Sequence, residues 1–439
     1  MEIKENKCNV NLLFKVFATL VFLMASTEYT MVAYKFGVYV VATIGVILLF
    51  FNILKKNFSY KKIDVTILLF IVGFIVTIII NNSSGIFKQG FVLLCVLMYF
   101  FVFFSSDLAK KENIFKENRI IMMIVVIFTF ICLICSYILL IIDLKNNTNH
   151  TYNLHGGNSF QFIGLYTGIS TQAMMSGISA LISLYFVYSE IKIKNNKKFF
   201  LIFNIINFIL QDFALTLSYT SASIVAFGCA LCVGIFLMFN NSSNDGRCIK
   251  LVIYLALAIL ISAINYCVMD YTSRTIIDSA FNDNTTVNPN NQVISADDGS
   301  KELFSSNGRG EIWKEAISLW KDKPVFGNGY GTFYIKIPTE KSFIEYRNIH
   351  SGYIEVIYTC GLWGFITIMI FGGYYLIRFI KLAVTEKHIE FIGAAMIIVH
   401  SCMYASINQL FILDRSINMF LLCVFLGLAR GIESKRRKE

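Results

Sequence analysis

The chain has 439 residues, 56% of them hydrophobic and only 15% charged, with a mean hydropathy of +0.64. Soluble domains carry about 25% charged residues, so a soluble core is excluded, and the long uninterrupted apolar runs exclude the short alternating strands of a β-barrel. The formal charge of +10 sits in short loops between those runs. It reads as topology signals and lipid headgroup contacts, not as a nucleic-acid surface.

A bilayer-spanning helix needs about 20 mostly apolar residues. Twelve such runs follow one another, at 9–27, 31–54, 64–80, 87–105, 120–142, 161–189, 198–217, 220–239, 250–269, 351–378, 389–407 and 411–429. The fold class expected is therefore all-α, a polytopic membrane protein of about 12 helices. No small-residue cleavage site follows the first run and a second run comes at once, so it reads as a retained helix rather than a signal peptide. Lys55, Lys56, Lys61 and Lys62 follow the second run, and Lys110, Lys111, Lys116 and Arg119 the fourth. Lys192, Lys194, Lys197 and Lys198 follow the sixth, Arg247 and Lys250 the eighth, Lys381 and Lys387 the tenth, and Lys435 to Lys438 close the tail. The alternate short loops hold little beyond Lys88 and Lys145. By the positive-inside rule both termini are cytoplasmic.

Three regions result: residues 1–269 with helices one to nine, an extracytoplasmic loop over 270–350, and 351–439 with the last three helices and a basic tail. The loop opens with the polar stretch "FNDNTTVNPNNQVISADDGSKE". In "RGEIWKEAISLWKDKP", Ile312, Trp313, Ala316, Ile317 and Trp320 recur at helical spacing, and Pro324 ends the pattern. Two Trp on a short amphipathic helix suit a membrane–water interface. "GNGYG" (327–331) makes a tight turn, with neither the preceding strand nor the Lys-Ser/Thr of a phosphate loop.

The 11 cysteines lie mostly inside apolar runs. Cys132/Cys135 and Cys229/Cys232 have CxxC spacing, but apolar surroundings make them packing residues. Cys8 and Cys248 fall in loops placed inside the cell, so no disulfide is expected.

Four arginines fall on the outer side: Arg274, Arg309, Arg347 and Arg415. Arg415 adjoins Asp414 and reads as a local ion pair. Arg274 either anchors its helix at the headgroups or faces a ligand. Arg309 and Arg347 bracket the ordered part of the loop, and a guanidinium forks onto phosphate oxygens at any cellular pH. His350 can serve as a general base near neutral pH. Glu355, inside the next span, is costly at that depth and could orient His350 or bind a sugar hydroxyl. Asp212, beside Gln211, raises the same question in span seven. His150 and His155 read as loop residues and His400 as a packed helix residue. No His/Asp/Glu cluster has metal-ligand spacing.

The segments "RGEIWKEAISLWKDKPVFGNGYGTF" and "HSGYIEVIYTCGLWG" together resemble the signature of the O-antigen ligase and polymerase (Wzy-type) family. In that pattern an Arg, a Trp and an amphipathic stretch precede Pro and G-x-G, then His with a Glu five residues on, then G-x-x-G. The likeness covers about sixty residues closely, and the twelve-span layout with one large outer loop agrees for the rest. The resemblance implies a fold like that of GT-C-type glycosyltransferases and needs neither metal nor nucleotide cofactor. It implies action on glycans carried by undecaprenyl diphosphate at the outer face of the bacterial inner membrane. Carried over by position, Arg309 and His350 match functional positions of the family and Glu355 matches its framework; His350, Arg309 and Glu355 are the catalytic candidates. Arg347, Arg274, Asp212, Tyr219, Trp313, Gly327 and Gly329 are the substrate-binding candidates. The sequence departs from the family at "LTLSYTSASIVAF", where Tyr219 stands at an expected Arg; Arg347 or Arg274 would have to replace that cation.

The expected activity is inverting glycosyl transfer by a polysaccharide polymerase that joins lipid-linked repeat units. The expected partners are the undecaprenyl-diphosphate-linked donor and acceptor, membrane lipid, a flippase and a chain-length regulator, with no nucleic acid. A ligase moving the glycan to another acceptor is the alternative within the family. A transporter is the alternative outside it, and would need charged or broken helices near mid-membrane.

Overall fold

The structure is a computed structural model and describes residues 10–54, 62–81, 86–104, 111–146, 148, 150–155, 159–193, 197–218, 220–241, 309–338, 343–386, 388–408, 413 and 416–436. Helices dominate because backbone polar groups in lipid must find partners within their own segment. In chain order these are α1 (Val10–Met24), α2 (Met31–Leu54), α3 (Asp64–Asn81), α4 (Ile86–Met98), α5 (Lys111–Asn146), α6 (Ile169–Ile193), α7 (Lys198–Leu217), α8 (Ser221–Asn241), α9 (Arg309–Trp320), α10 (Gly352–Glu386), α11 (Glu390–Ile407) and α12 (Ile417–Arg436). A π turn over Tyr99–Phe103 continues α4. Among the described residues nine helices are long and apolar enough to cross a membrane, and Val10–Met24 and Ile417–Ile432 are shorter apolar ones. The chain is an all-α polytopic membrane protein.

Each expected span except the ninth meets one of these helices. The ninth, 250–269, lies outside the described residues, as do Arg274, Tyr219, Asp414 and Arg415. Two boundaries differ from the apolar runs. α6 begins at Ile169 rather than 161, because β1 (Tyr152–His155) pairs antiparallel with β2 (Ser159–Phe162) and takes the start of the run into a hairpin. The chain turns out of it at Gly164 (φ 63). α12 begins at Ile417 rather than 411, where the backbone N–H of Phe420 bonds the Ser416 carbonyl. A second hairpin joins β3 (Ile335–Pro338) to β4 (Phe343–Tyr346).

The bundle has two chemically different ends. One holds buried ion pairs: Asp64–Arg430 at 3.0 Å, Arg119–Glu190 at 2.9 Å and Lys15–Glu117 at 3.4 Å. The Tyr375 hydroxyl adds a 3.0 Å bond to Asp64. The other, the loop end, carries residues 309–338 and 343–350. Between them α6 packs on α7 and α8 packs on α11. A polar belt ties α5, α6 and α7: Thr129 bonds Ser179 at 2.7 Å, and the Asn207 amide donates to Ser179 and Ser183 at 3.0 and 2.7 Å. Such interhelical bonds replace the hydrophobic drive that lipid removes.

Candidate active site

The loop end is built around a break in α10. Gly361 has φ 67 and ψ −171 inside the helix. An unbroken helix would bond the Leu362 amide to the Tyr358 carbonyl and the Trp363 amide to the Thr359 carbonyl. The break frees all four groups, and the chain from Pro324 to Gly329 supplies their partners. Leu362 donates to the Pro324 carbonyl at 2.9 Å and Trp363 to the Val325 carbonyl at 3.1 Å. The Tyr358 carbonyl accepts from Asn328 at 2.8 Å and the Thr359 carbonyl from Gly329 at 3.1 Å. A Cβ on Gly327 (φ 71) would lie 2.6 Å from the Gly361 nitrogen and from the Thr359 carbonyl. Glycine is required on both sides because the two backbones touch.

α3 braces this clasp. Thr77 donates to the Phe326 carbonyl at 2.6 Å, Asn81 to the Gly327 carbonyl at 3.1 Å, and the Trp363 indole to the Leu69 carbonyl at 2.9 Å. α9 then packs across the top. Its Ile312 and Ala316 are buried against Phe333, Ile335, Ile349 and Tyr358. The apolar face expected at a membrane interface is thus spent on the loop's own small core. The Trp313 indole N–H donates to the Ile349 carbonyl at 2.9 Å.

That bond fixes the peptide just before His350. On the other side the Gly352 amide donates to the Asn408 carbonyl at 2.9 Å, and Ser351 is buried. Held between these anchors, His350 has φ 55, and it is the one non-glycine residue with positive φ among those described. Such a conformation persists only where its surroundings over-determine it. Arg309, the first residue of α9, is the charge that His350 feels. Burial first and the Arg309 charge second hold the imidazole below its ordinary pKa. Burial also draws Arg309 down, while the Tyr404 phenol beside it acts the other way; the guanidinium stays charged. Tyr404 is itself fixed by donating to the Ser170 carbonyl at 2.7 Å. A neutral imidazole beside a half-buried guanidinium can accept a proton while the cation faces a developing negative charge.

Residues 205–369 match the family model described as O-antigen ligase. This supports an O-antigen ligase/polymerase family assignment. No curated protein matches the chain. The family match contains Arg309, His350, Glu355, Asp212 and the whole 324–329/358–363 clasp.

Not every candidate from the family pattern gathers at His350. Glu355 is buried in the first turn of α10, but it lines a cavity of about 450 Å³ whose wall also includes Arg347, Lys88 and Tyr330. The charge felt at His350 is that of Arg309. Arg347 is exposed, its guanidinium 5.8 Å from the Tyr334 ring centre and 4.0 Å from a Glu345 carboxylate oxygen. Asp212 is buried on α7, next to Gln211, whose amide donates to Asn207 in the polar belt at 3.3 Å. Gly329 (φ 90) lies against Gln89 of α4. Trp313, Gly327 and Gly329 are thus placed as supports of the site.

Three residues at the loop end were not singled out in the sequence as site residues. Tyr404 and Ser170 carry no local signal, since their meeting is purely tertiary. Lys88 did carry one: it is one of the few cations at the cation-poor ends of the apolar runs, and the structure places it in the first turn of α4. A larger apolar cavity of about 770 Å³, with Lys35 on its wall, lies among α1, α2, α6 and α12. Its wall residues Thr167 and Thr171 flank Ser170.

Proposed function

We propose that the chain is a polysaccharide polymerase of this family. It joins oligosaccharide repeat units carried on undecaprenyl diphosphate, at the outer face of the bacterial inner membrane. The observation that carries the reading is the Arg309–His350 pair, half-buried together with the imidazole biased to its neutral form. His350 takes the proton from an acceptor sugar hydroxyl. That oxygen attacks the anomeric carbon of the donor from the face opposite the diphosphate. The glycosidic C–O bond breaks, its electron pair leaves with the diphosphate, and the anomeric configuration inverts. Arg309 stabilises the charge that builds on the departing phosphate oxygen, a term worth about 10²–10³ in rate for one well-placed donor. No metal takes part. The loop end faces outward and both termini are cytoplasmic, in line with the lysine alternation. The apolar cavity beside Ser170 suits the isoprenoid chain of the donor, with Lys35 toward its headgroup.

The description of the matching family favours a second reading within the class, a ligase that needs a separate acceptor. One experiment decides. Purified protein in lipid receives only a synthetic undecaprenyl-diphosphate-linked repeat unit, with EDTA present. A ladder of longer lipid-linked glycans supports the polymerase. A ladder absent until lipid A core oligosaccharide is added supports the ligase. Loss of activity to EDTA overturns the metal-free mechanism.

A further inference from the structure

The cavity lined by Glu355 reaches Ile349, the residue before His350, and has a different chemical character from the Arg309–His350 pair. Two cations reach it from separate parts of the chain, Lys88 from α4 and Arg347 from the strand β4 end. Lys88 is held by an aromatic face, its ammonium 5.4 Å from the Tyr330 ring centre. Arg347 sits likewise over Tyr334, and the 4.0 Å approach of Glu345 is at the outer limit of an ion pair. Glu345 is also shared, accepting from the Tyr334 hydroxyl at 2.7 Å and pairing with Lys336 at 3.1 Å. Within the cavity, then, two cations face one buried carboxylate, Glu355. The surplus is one positive charge.

The rest of the lining suits a sugar ring. Tyr330, Tyr334 and Tyr358 give the wall aromatic edges and hydroxyls, and Thr332, Asn348 and Glu355 offer further partners for sugar hydroxyls. At about 450 Å³ the cavity falls within the range of about 300–1,000 Å³ typical of small-molecule sites. Glu355 would repel a diphosphate, with two or more negative charges, more than it would a singly charged, hydroxyl-rich group.

We infer that this cavity is an acceptor-sugar subsite and that it selects an acidic sugar, one bearing a single carboxylate such as a hexuronic acid, between Lys88 and Arg347. The inference rests on the glycan-transfer reading above, but its test needs neither donor nor turnover. Loss of one leaves the other open to separate measurement.

The probes are cellobiouronic acid and cellobiose, which differ only by a carboxylate in place of one hydroxymethyl group. Binding is measured by calorimetry on the purified full-length protein in lipid nanodiscs. The acid should bind about tenfold or more tightly, with the preference shrinking as salt rises. Arg347→Gln, at an exposed position that leaves the fold intact, should remove most of the preference. Lys88→Gln should do the same, while Lys88→Arg should keep it. Equal affinity for the two disaccharides, or binding of neither at millimolar concentration, overturns the inference. So does displacement of the acid by inorganic pyrophosphate in wild type that is lost in Lys88→Gln, since the cavity would then be a diphosphate site.

Discussion

The indole N–H of Trp313 donates to the carbonyl of Ile349 at 2.9 Å, and so ties the helix that begins with Arg309 to the peptide that precedes His350. The spacing between the guanidinium and the imidazole therefore depends on a residue that belongs to neither. Trp313→Phe keeps the ring and its packing but removes the donor. A single such bond contributes about 1 kcal/mol to stability, so the protein should fold and insert. Small misplacements of reacting groups cost far more in rate than in stability. Turnover should fall by about tenfold or more with the donor KM nearly unchanged, as read by steady-state glycan synthesis in proteoliposomes.

Gly361→Ala should be poorly tolerated. It places a side chain at φ 67 and drives its Cβ into the Val325 carbonyl. That backbone conformation, which essentially only glycine adopts, costs a side chain about 1–3 kcal/mol by itself, and the clash requires the 324–329 segment to withdraw. Four backbone hydrogen bonds then lose their partners together. Gly372→Ala, in the same helix with open space around it, is the matched control. Thermal unfolding in detergent should show a clear loss of midpoint for the first and little change for the second.

The buried pair at the opposite end gives a stability prediction independent of catalysis. Asp64 and Arg430 are 3% and 6% exposed at their side chains and 3.0 Å apart. Removing one partner strands the other charge, at a cost of about 3–5 kcal/mol. Asp64→Leu and Arg430→Met should each destabilise strongly, and the double variant should recover much of the loss. Additive losses in a double-mutant cycle would show that the two charges act separately.

The pH profile carries the sign of the Arg309–His350 interaction. A base must be unprotonated, so activity is lost as pH falls through the folded pKa of His350 and is level above it. Burial and Arg309 hold that pKa below its ordinary value of about 6.5, so the acid limb should lie below pH 6.5. Arg309→Gln removes a positive charge that opposes protonation, so the His350 pKa rises and the limb moves to higher pH. Turnover should also fall by about 10²–10³, so the limb is read on the residual rate. An unmoved limb would separate the two residues.

Much of this fold was legible in the sequence because lipid enforces simple rules. Apart from the ninth, which lies outside the described residues, each apolar run of spanning length meets a helix. The exceptions are instructive. The start of α6 was overstated because Ser159–Phe162 is apolar enough to extend a run yet pairs as a strand. Arg309 and His350 were singled out from residue order, and in the structure the Arg309 charge acts on the His350 imidazole. The clasp was only half visible: "GNGYG" reads as a turn, but nothing local says that Gly327 faces Gly361 of a broken helix. The five-residue spacing of Glu355 from His350 says little about which way each side chain faces, because His350 precedes the helix that carries Glu355. Tyr404 and Lys88 enter the loop end from other helices, and such meetings leave no periodicity to read.

The most direct test of the account is single-turnover transfer by His350→Gln. The purified variant, in lipid, is given the synthetic undecaprenyl-diphosphate-linked oligosaccharide at saturating concentration, beside wild type. Glutamine can still hydrogen-bond but cannot take the proton. The account predicts normal insertion, normal donor binding, and a rate of glycosidic bond formation reduced by about 10²–10⁴, the usual contribution of a general base. Bond formation by His350→Gln at the wild-type rate would contradict it and leave His350 as a positioning residue.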